Sequence, residues 1–127
     1  GEVMTAASDV LTFRTSDLLN SATRYKIIDS GYSRFPVSEQ DQHNIVGILF
    51  TKDVLLEPED IPIGDVCDNT FLETTPGTYL DTVLRLMLSK KMHLCIVRDS
   101  KKHFLGVITL EDILEEIIQY EIEDEDD

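Results

Sequence analysis

The chain repeats itself, and this restricts its folds more than any other feature. Laid over itself at an offset of 59 residues, it places Gly47 on Gly106, Asp53 on Asp112 and Leu55 on Leu114. Thr15 falls on Thr74, Thr23 on Thr82 and Ser30 on Ser89, with no gap from Phe13/Leu72 to Leu55/Leu114. Only six of these 43 pairs are identical, but the apolar pattern agrees throughout. Phe35-Pro36-Val37 lies over Leu94-Cys95-Ile96, and Ile45 to Leu49 lies over Phe104 to Ile108. Two copies of one supersecondary unit explain this pattern. A unit of about 60 residues buries too little apolar surface to stand alone, so the copies are expected to pack as a pseudo-symmetric pair.

Each copy reads helix, strand, strand, helix, which sets the expected class as α+β. In the second copy Leu80, Val83, Leu84 and Met87 recur along one helical face, after the break at Pro76-Gly77. Leu94 to Val97 reads as a strand, Arg98 to His103 as a polar turn, and Phe104 to Thr109 as a second strand. Leu110, Ile113, Leu114, Ile117 and Ile118 then stripe a helix whose wet side carries Glu111, Glu115 and Glu116. In the first copy the corresponding stripe is Leu18, Ala22, Tyr25 and Ile28. Strands follow at Phe35 to Val37 and Ile45 to Phe50, with a short helix from Lys52. The expected organisation is copy one over 1–56, a connector over 57–65, copy two over 66–120 and an acidic tail over 121–127.

Charge narrows the partners. The net charge of -14 is concentrated at the end: residues 1–110 hold 15 acids and 11 bases, residues 111–127 hold 10 acids and no base. Nucleic acid and anionic membrane surfaces both need Lys and Arg, and are disfavoured. The tail reads as a solvated end. The longest apolar stretch, Ile45 to Phe50, is far short of the ~20 residues a membrane-spanning helix needs. The chain opens on Gly1-Glu2 without an initiator Met, and reads as an excised piece of something larger. Cys67 and Cys95 read as two reduced thiols, Cys95 buried, in a reducing compartment. There is no G-x-x-x-x-G-K-[ST], no G-x-S-x-G and no paired His, so ligand binding is favoured over catalysis and no protein metal site is expected.

Several stretches carry a resemblance: V-M-T (Val3 to Thr5), S-G-Y-S-R-F-P-V (Ser30 to Val37), N-I-V-G-I-L-F-T-K-D-V-L (Asn44 to Leu55), H-L-C-I-V (His93 to Val97) and L-G-V-I-T-L-E-D-I-L-E-E-I-I (Leu105 to Ile118). Together they resemble a tandem pair of cystathionine-β-synthase (CBS) domains, a Bateman module. The likeness is greatest to the CNNM/CorC magnesium-transport family, and the acidic ending looks like its eukaryotic branch. The resemblance implies a cytosolic regulatory domain of an integral membrane protein. It would bind ATP as Mg-ATP, with Mg²⁺ held through the nucleotide, and act on the parent's transmembrane domain. Alternatives are a CBS pair that only dimerises, and the regulatory CBS pair of an enzyme. A homodimer is expected, since apolar stripes on both helices of each copy exceed what one sheet covers. In animal members a longer loop at the position of Arg98 to His103 reaches phosphatases of regenerating liver; the short loop here argues against that partner.

Thr109 and Asp112 stand three residues apart at a strand-to-helix junction. A carboxylate there can accept from both hydroxyls of a ribose, and a Thr hydroxyl can donate to a phosphate. The same two residues also suit a helix cap and a first-turn acid. The resemblance assigns Asp112 to the ribose and Thr109 to the phosphate. It adds Tyr32, Ser33, Arg34 and Pro36 as a complementary wall, with Arg34 offering a cationic fork and Pro36 at an edge or lining position. Val10, Leu11 and Ile108 are candidates for an adenine slot. In copy one Phe50 and Asp53 hold the equivalent positions, and the missing hydroxyl implies that this end is degenerate.

Overall fold

The structure, a computed structural model, describes residues 3–125. Seven strands and four α-helices follow in order: β1 (Thr5–Ala6), β2 (Phe13–Arg14), α1 (Ser21–Ser30), β3 (Arg34–Glu39), β4 (Asp41–Phe50), α2 (Thr51–Leu56), β5 (Leu72–Thr74), α3 (Leu80–Lys90), β6 (Leu94–Arg98), β7 (Phe104–Thr109) and α4 (Leu110–Glu125). They form two compact units. One holds residues 11–71; the other joins the first ten residues to those from Leu72 onward. Each aligned copy of the repeat, 13–55 and 72–114, falls within one unit, and the first ten residues join the second copy.

In the unit of residues 11–71 the sheet order is β2-β3-β4, with β2 parallel to β3 and β3 antiparallel to β4. The apolar run of β4 buries Ile45, Ile48 and Leu49, and β3 buries Phe35 and Val37. Phe13 meets Phe35 edge to face, ring centroids 5.5 Å apart. Leu19, Ile27, Val54 and Ile63 complete the core. Asn20 caps α1 by accepting from the Thr23 N–H at 3.0 Å. Gly31, at φ 75°, ends the helix in the left-handed conformation that glycine adopts without a β-carbon clash. The Arg24 guanidinium donates to the carbonyls of Leu19, Val54 and Glu59 at 2.9, 2.8 and 2.7 Å. It thereby holds the end of α2 and the following connector against α1.

In the other unit the sheet order is β1-β7-β6-β5, with β5 parallel to β6 and the remaining pairs antiparallel. Val83 and Met87 of α3 and Ile113 of α4 bury against Cys95, Val97 and Ile108.

One device appears in both units. Ile48 and Val107 are equivalent at the 59-residue offset, and each pairs with the segment that leads into the other copy. Ile48 exchanges two backbone hydrogen bonds of 2.8 Å with Asp68, and Val107 lies opposite Thr5. The preceding glycines make the approach possible. A β-carbon on Gly47 would lie 2.8 Å from the Asp68 carbonyl oxygen, and one on Gly106 would collide with that of Thr5.

The helix–strand–strand–helix reading and the CBS-type α+β class agree with this structure. Each copy also carries a short leading strand, β2 or β5, parallel to the next. The stripe expected on the first helix is corrected: Leu18, Tyr25 and Ile28 are exposed, while Leu19 and Ile27 are buried. α4 continues through Glu125, so the described part of the acidic tail is helical. None of the described helices is long and apolar enough to cross a membrane.

Candidate functional site

β7 ends at Thr109 and α4 begins at Leu110, so the change of period falls between these two residues. The Leu110 N–H donates to the His93 carbonyl at 2.9 Å, fixing the helix start to the loop before β6. The Asp112 N–H donates to Thr109 Oγ1 at 3.2 Å. Thr109 is thus the cap of α4, as its residue type allows, and its hydroxyl proton is still available to an acceptor.

Asp112 lines an open cleft of about 650 Å³ with Val3, Met4, Thr5, Glu115, Glu116, Ile118 and Gln119. One wall is the first turns of α4 and the other is the incoming β1 segment. The V-M-T stretch carried part of the resemblance but was given no place at the site; the strand pairing brings it there. Glu111 points differently: its carboxylate lies 3.9 Å from His93 Nδ1. Ile108, a candidate for the adenine slot, lines a separate cavity of about 270 Å³ with Val3, Met4, Thr74, Pro76 and Val97. Leu11 packs against the core of residues 11–71, and Val10 follows the short 3-10 turn Ala7–Asp9, half-buried.

Tyr32, Ser33, Arg34 and Pro36 all belong to the unit of residues 11–71. Their loop is tied to the start of α2: Thr51 Oγ1 donates to the Tyr32 carbonyl at 2.8 Å and the Thr51 N–H donates to that of Ser33 at 3.0 Å. The Tyr32 side chain and Ser33 are exposed. Arg34 pairs across the hairpin with Phe50, its guanidinium carbon 5.7 Å from the ring centroid, and Lys52 Nζ lies 5.6 Å from the same centroid. Pro36 sits at a local edge inside a central strand. It is buried in β3, the middle strand of its sheet. The strand tolerates it because β2 pairs only with Val37 and Ser38 and leaves Pro36 opposite Ile48 of β4 alone.

In copy one Phe50 precedes α2 without a side-chain cap. Asp53 lines a different cleft with Glu57, Asp65, Cys67 and Asp68. Both cysteines are free thiols. Burial pushes the Cys95 thiol up to about 11, and burial is also the main cause that raises Cys67. Among the described residues no cluster of three or more His, Cys, Asp or Glu side chains could hold a metal ion.

The CBS-domain profile matches residues 1–60 and 63–119. Protein MAM3 of Saccharomyces cerevisiae is 35% identical over 132 residues, covering 99% of this chain and 19% of that protein. Metal transporter cnnm-1 of Caenorhabditis elegans is 35% identical over 144 residues, covering 99% of this chain and 17% of that protein. The chain therefore spans less than a fifth of either relative. Among solved structures, the CBS domain of the bacterial CNNM/CorC family Mg²⁺ transporter in complex with ATP superimposes with a TM-score of 0.81 at 25% identity, over 91% of this chain and 84% of that one.

Proposed function

Because this chain belongs to the CBS-domain family, with two copies in tandem, we propose that it is the regulatory module of a CNNM/CorC-type divalent-cation transporter and that it binds ATP as Mg-ATP. The observation that carries this reading is the Thr109–Asp112 junction. There a capping hydroxyl keeps its proton and a carboxylate faces a cleft, a combination suited to a phosphate oxygen and a vicinal diol. The ATP complex of a similar CBS domain supports the choice of nucleotide.

The fit also explains why magnesium would accompany the ligand. Asp112, Glu115 and Glu116 place three carboxylates around the cleft, and free ATP is a polyanion. Mg²⁺ keeps several waters and binds through substrate phosphates without a dedicated protein cage. In this reading Asp112 holds the ribose hydroxyls and Thr109 donates to a phosphate; of the residues proposed in the other unit, Tyr32, Ser33, Arg34 and Pro36, Arg34 is the one whose charge suits a phosphate. The bound state would be transmitted to the parent's transmembrane domain, with the module on the cytosolic side.

A homodimer belongs to the same proposal. Tyr25, Ile28, Leu55 and Leu56 in one unit, and Leu114, Ile117 and Ile118 in the other, are apolar and exposed. Patches of this kind favour association. They also support a second reading, a CBS pair that dimerises and takes no ligand. Calorimetric titration with ATP in millimolar Mg²⁺ separates the two. Saturable binding that Asp112→Ala weakens is the expected result; dimers by light scattering without any ATP binding would leave only the second reading.

A further inference from the structure

α4 outgrows its counterpart in the first copy. α2 and α4 start at equivalent positions, but α2 ends at Leu56, the equivalent of Glu115, and α4 runs on to Glu125. This long helix carries two apolar rows. Ile113 is buried in the core of its unit, and Ile117 follows it one turn on. Leu114, Ile118 and Ile122, spaced by four, form a separate row, and each is roughly half exposed. Glu111, Glu115, Glu121 and Glu125 border it, each three residues from a member of the row. The helix also ends against its own dipole: Glu123, Asp124 and Glu125 stand at the electronegative end, and the last turn has no base.

We propose that the Leu114–Ile118–Ile122 row is the docking face for a cationic amphipathic helix of a partner protein. Charge decides the occupant. A second copy of α4 laid along the row would set carboxylates against carboxylates, and so would a nucleic acid or an anionic membrane set phosphates against them. A helix with Lys or Arg beside an apolar stripe removes both mismatches. Its stripe covers the row, its cations meet the bordering glutamates, and a cation reaching past Ile122 opposes the charge at the helix end. The homodimer keeps its own surface: Tyr25, Ile28, Leu55 and Leu56 are exposed on the other unit, where Lys26 and Lys52 stand among the acids. The proposal does not depend on nucleotide binding.

The probe is a two-heptad peptide, Leu-Lys-Lys-Leu-Leu-Lys-Leu repeated, whose leucines share one helical face. A control peptide holds the same residues in an order that scatters the leucines. Titrations by fluorescence anisotropy use the whole chain without nucleotide, because Ile118 also lines the Asp112 cleft. The parent chain is expected to bind the patterned peptide about tenfold tighter than the scattered one, through burial of the row. Leu114→Gln with Ile122→Gln should erase that preference, and Tyr120→Gln, on the other side of the helix, should keep it. A second reading needs no variant: the patterned peptide should slow hydrogen exchange at the amides of residues 118–125 in the parent chain. Equal affinity for the two peptides would mean attraction by charge alone and would overturn the proposal, as would exchange on α4 that the peptide leaves unchanged. Dimers that dissociate on Leu114→Gln with Ile122→Gln, in a chain whose parent does not distinguish the peptides, would give the face to a second copy instead.

Discussion

The carbonyl oxygen of Thr5 stands where a β-carbon on Gly106 would have to go. β1 and β7 run closer at this point than any larger residue permits, and the closeness brings the Val3–Thr5 segment to the wall of the Asp112 cleft. Gly106→Ala must therefore push β1 away. It is expected to cost about 1–3 kcal/mol of stability, in the range of other overpacking substitutions. Gly47→Ala faces the Asp68 carbonyl at 2.8 Å and should cost less. Urea denaturation of the two variants checks the order, and Gly106→Ala alone should also weaken ATP.

Asp112→Ala removes the proposed acceptor of two ribose hydroxyls. ATP binding is expected to weaken by about 1.5–3 kcal/mol, as for lost hydrogen bonds to a charged group. Asp53→Ala, in its separate cleft, should change affinity little. Thr109→Val should cost about 1 kcal/mol of fold stability through the lost cap, besides its effect on phosphate contact. Calorimetry on the three variants, beside thermal melts, separates binding from folding. Equal losses at Asp112 and Asp53 would contradict the assignment.

Magnesium should matter through charge. Glu115 and Glu116 lie well within the ~8 Å screening length of Asp112's cleft, so salt does not hide them from a bound polyphosphate. Mg²⁺ is expected to tighten ATP at least about tenfold, some 1.4 kcal/mol, and ATP must tighten Mg²⁺ by the same factor. AMP should show a smaller dependence. Matched titrations in EDTA and in millimolar Mg²⁺ decide it; equal ATP affinities would contradict the mechanism.

The copies differ in how legible they were, and the reason is local. In copy two the α3 stripe and the span of β7 agree with the sequence reading, because Pro76-Gly77 and the polar turn before Phe104 mark where each period starts. In copy one the stripe was counted from Leu18. The helix starts only at Ser21, after the Asn20 cap, so the count ran through residues that are not helical and selected the opposite face. β2 and β5, of two and three residues, are too short to show any alternation. Thr109 and Asp112 were legible as a pair because both lie within one turn of a period change. The contribution of Val3–Thr5 to the cleft was not. It depends on strand pairing across a hundred residues, for which local pattern carries no signal.

The turn between β6 and β7 should respond to acid. Asp99 accepts from the His103 and Lys101 N–H groups, each at 2.9 Å, and lies 3.0 Å from His103 Nδ1. The His103 backbone hydrogen bond is the main cause that lowers its pKa from the ordinary Asp value of 3.8. A lowered carboxylate stabilises the folded turn above its unfolded pKa. That contribution is lost as pH falls below about 4 and through the lowered folded value. Hydrogen exchange at the Lys101 and His103 amides should accelerate over that interval, and Asp99→Ala should remove the pH dependence. Exchange that stays flat down to acid pH would refute the account.

Burial separates the two thiols. Cys95 is 1% exposed and its pKa is pushed up to about 11, so little thiolate forms at neutral pH. An alkylating reagent at pH 8 is expected to label half-buried Cys67 slowly and Cys95 only after denaturant is added, which mass spectrometry reads directly. Rapid labelling of Cys95 in the native protein would mean that its sheet opens far more easily than its packing suggests.

The pairing of β1 with β7 also bears on synthesis. Residues 11–71 contain every strand of their sheet and the segment that lies along its β4 edge, so that unit can close as soon as it clears the ribosome. The other unit cannot: its outermost strand, β1, precedes all of residues 11–71, and the strand it joins, Phe104–Thr109, follows them. Residues 3–10 must wait unpaired until Phe104–Thr109 has been made, and a fragment cut at the connector would leave the β7 edge bare. A second repeat expressed without residues 3–10 is therefore expected to present an unpaired β7 edge, the kind of edge that other chains can pair with.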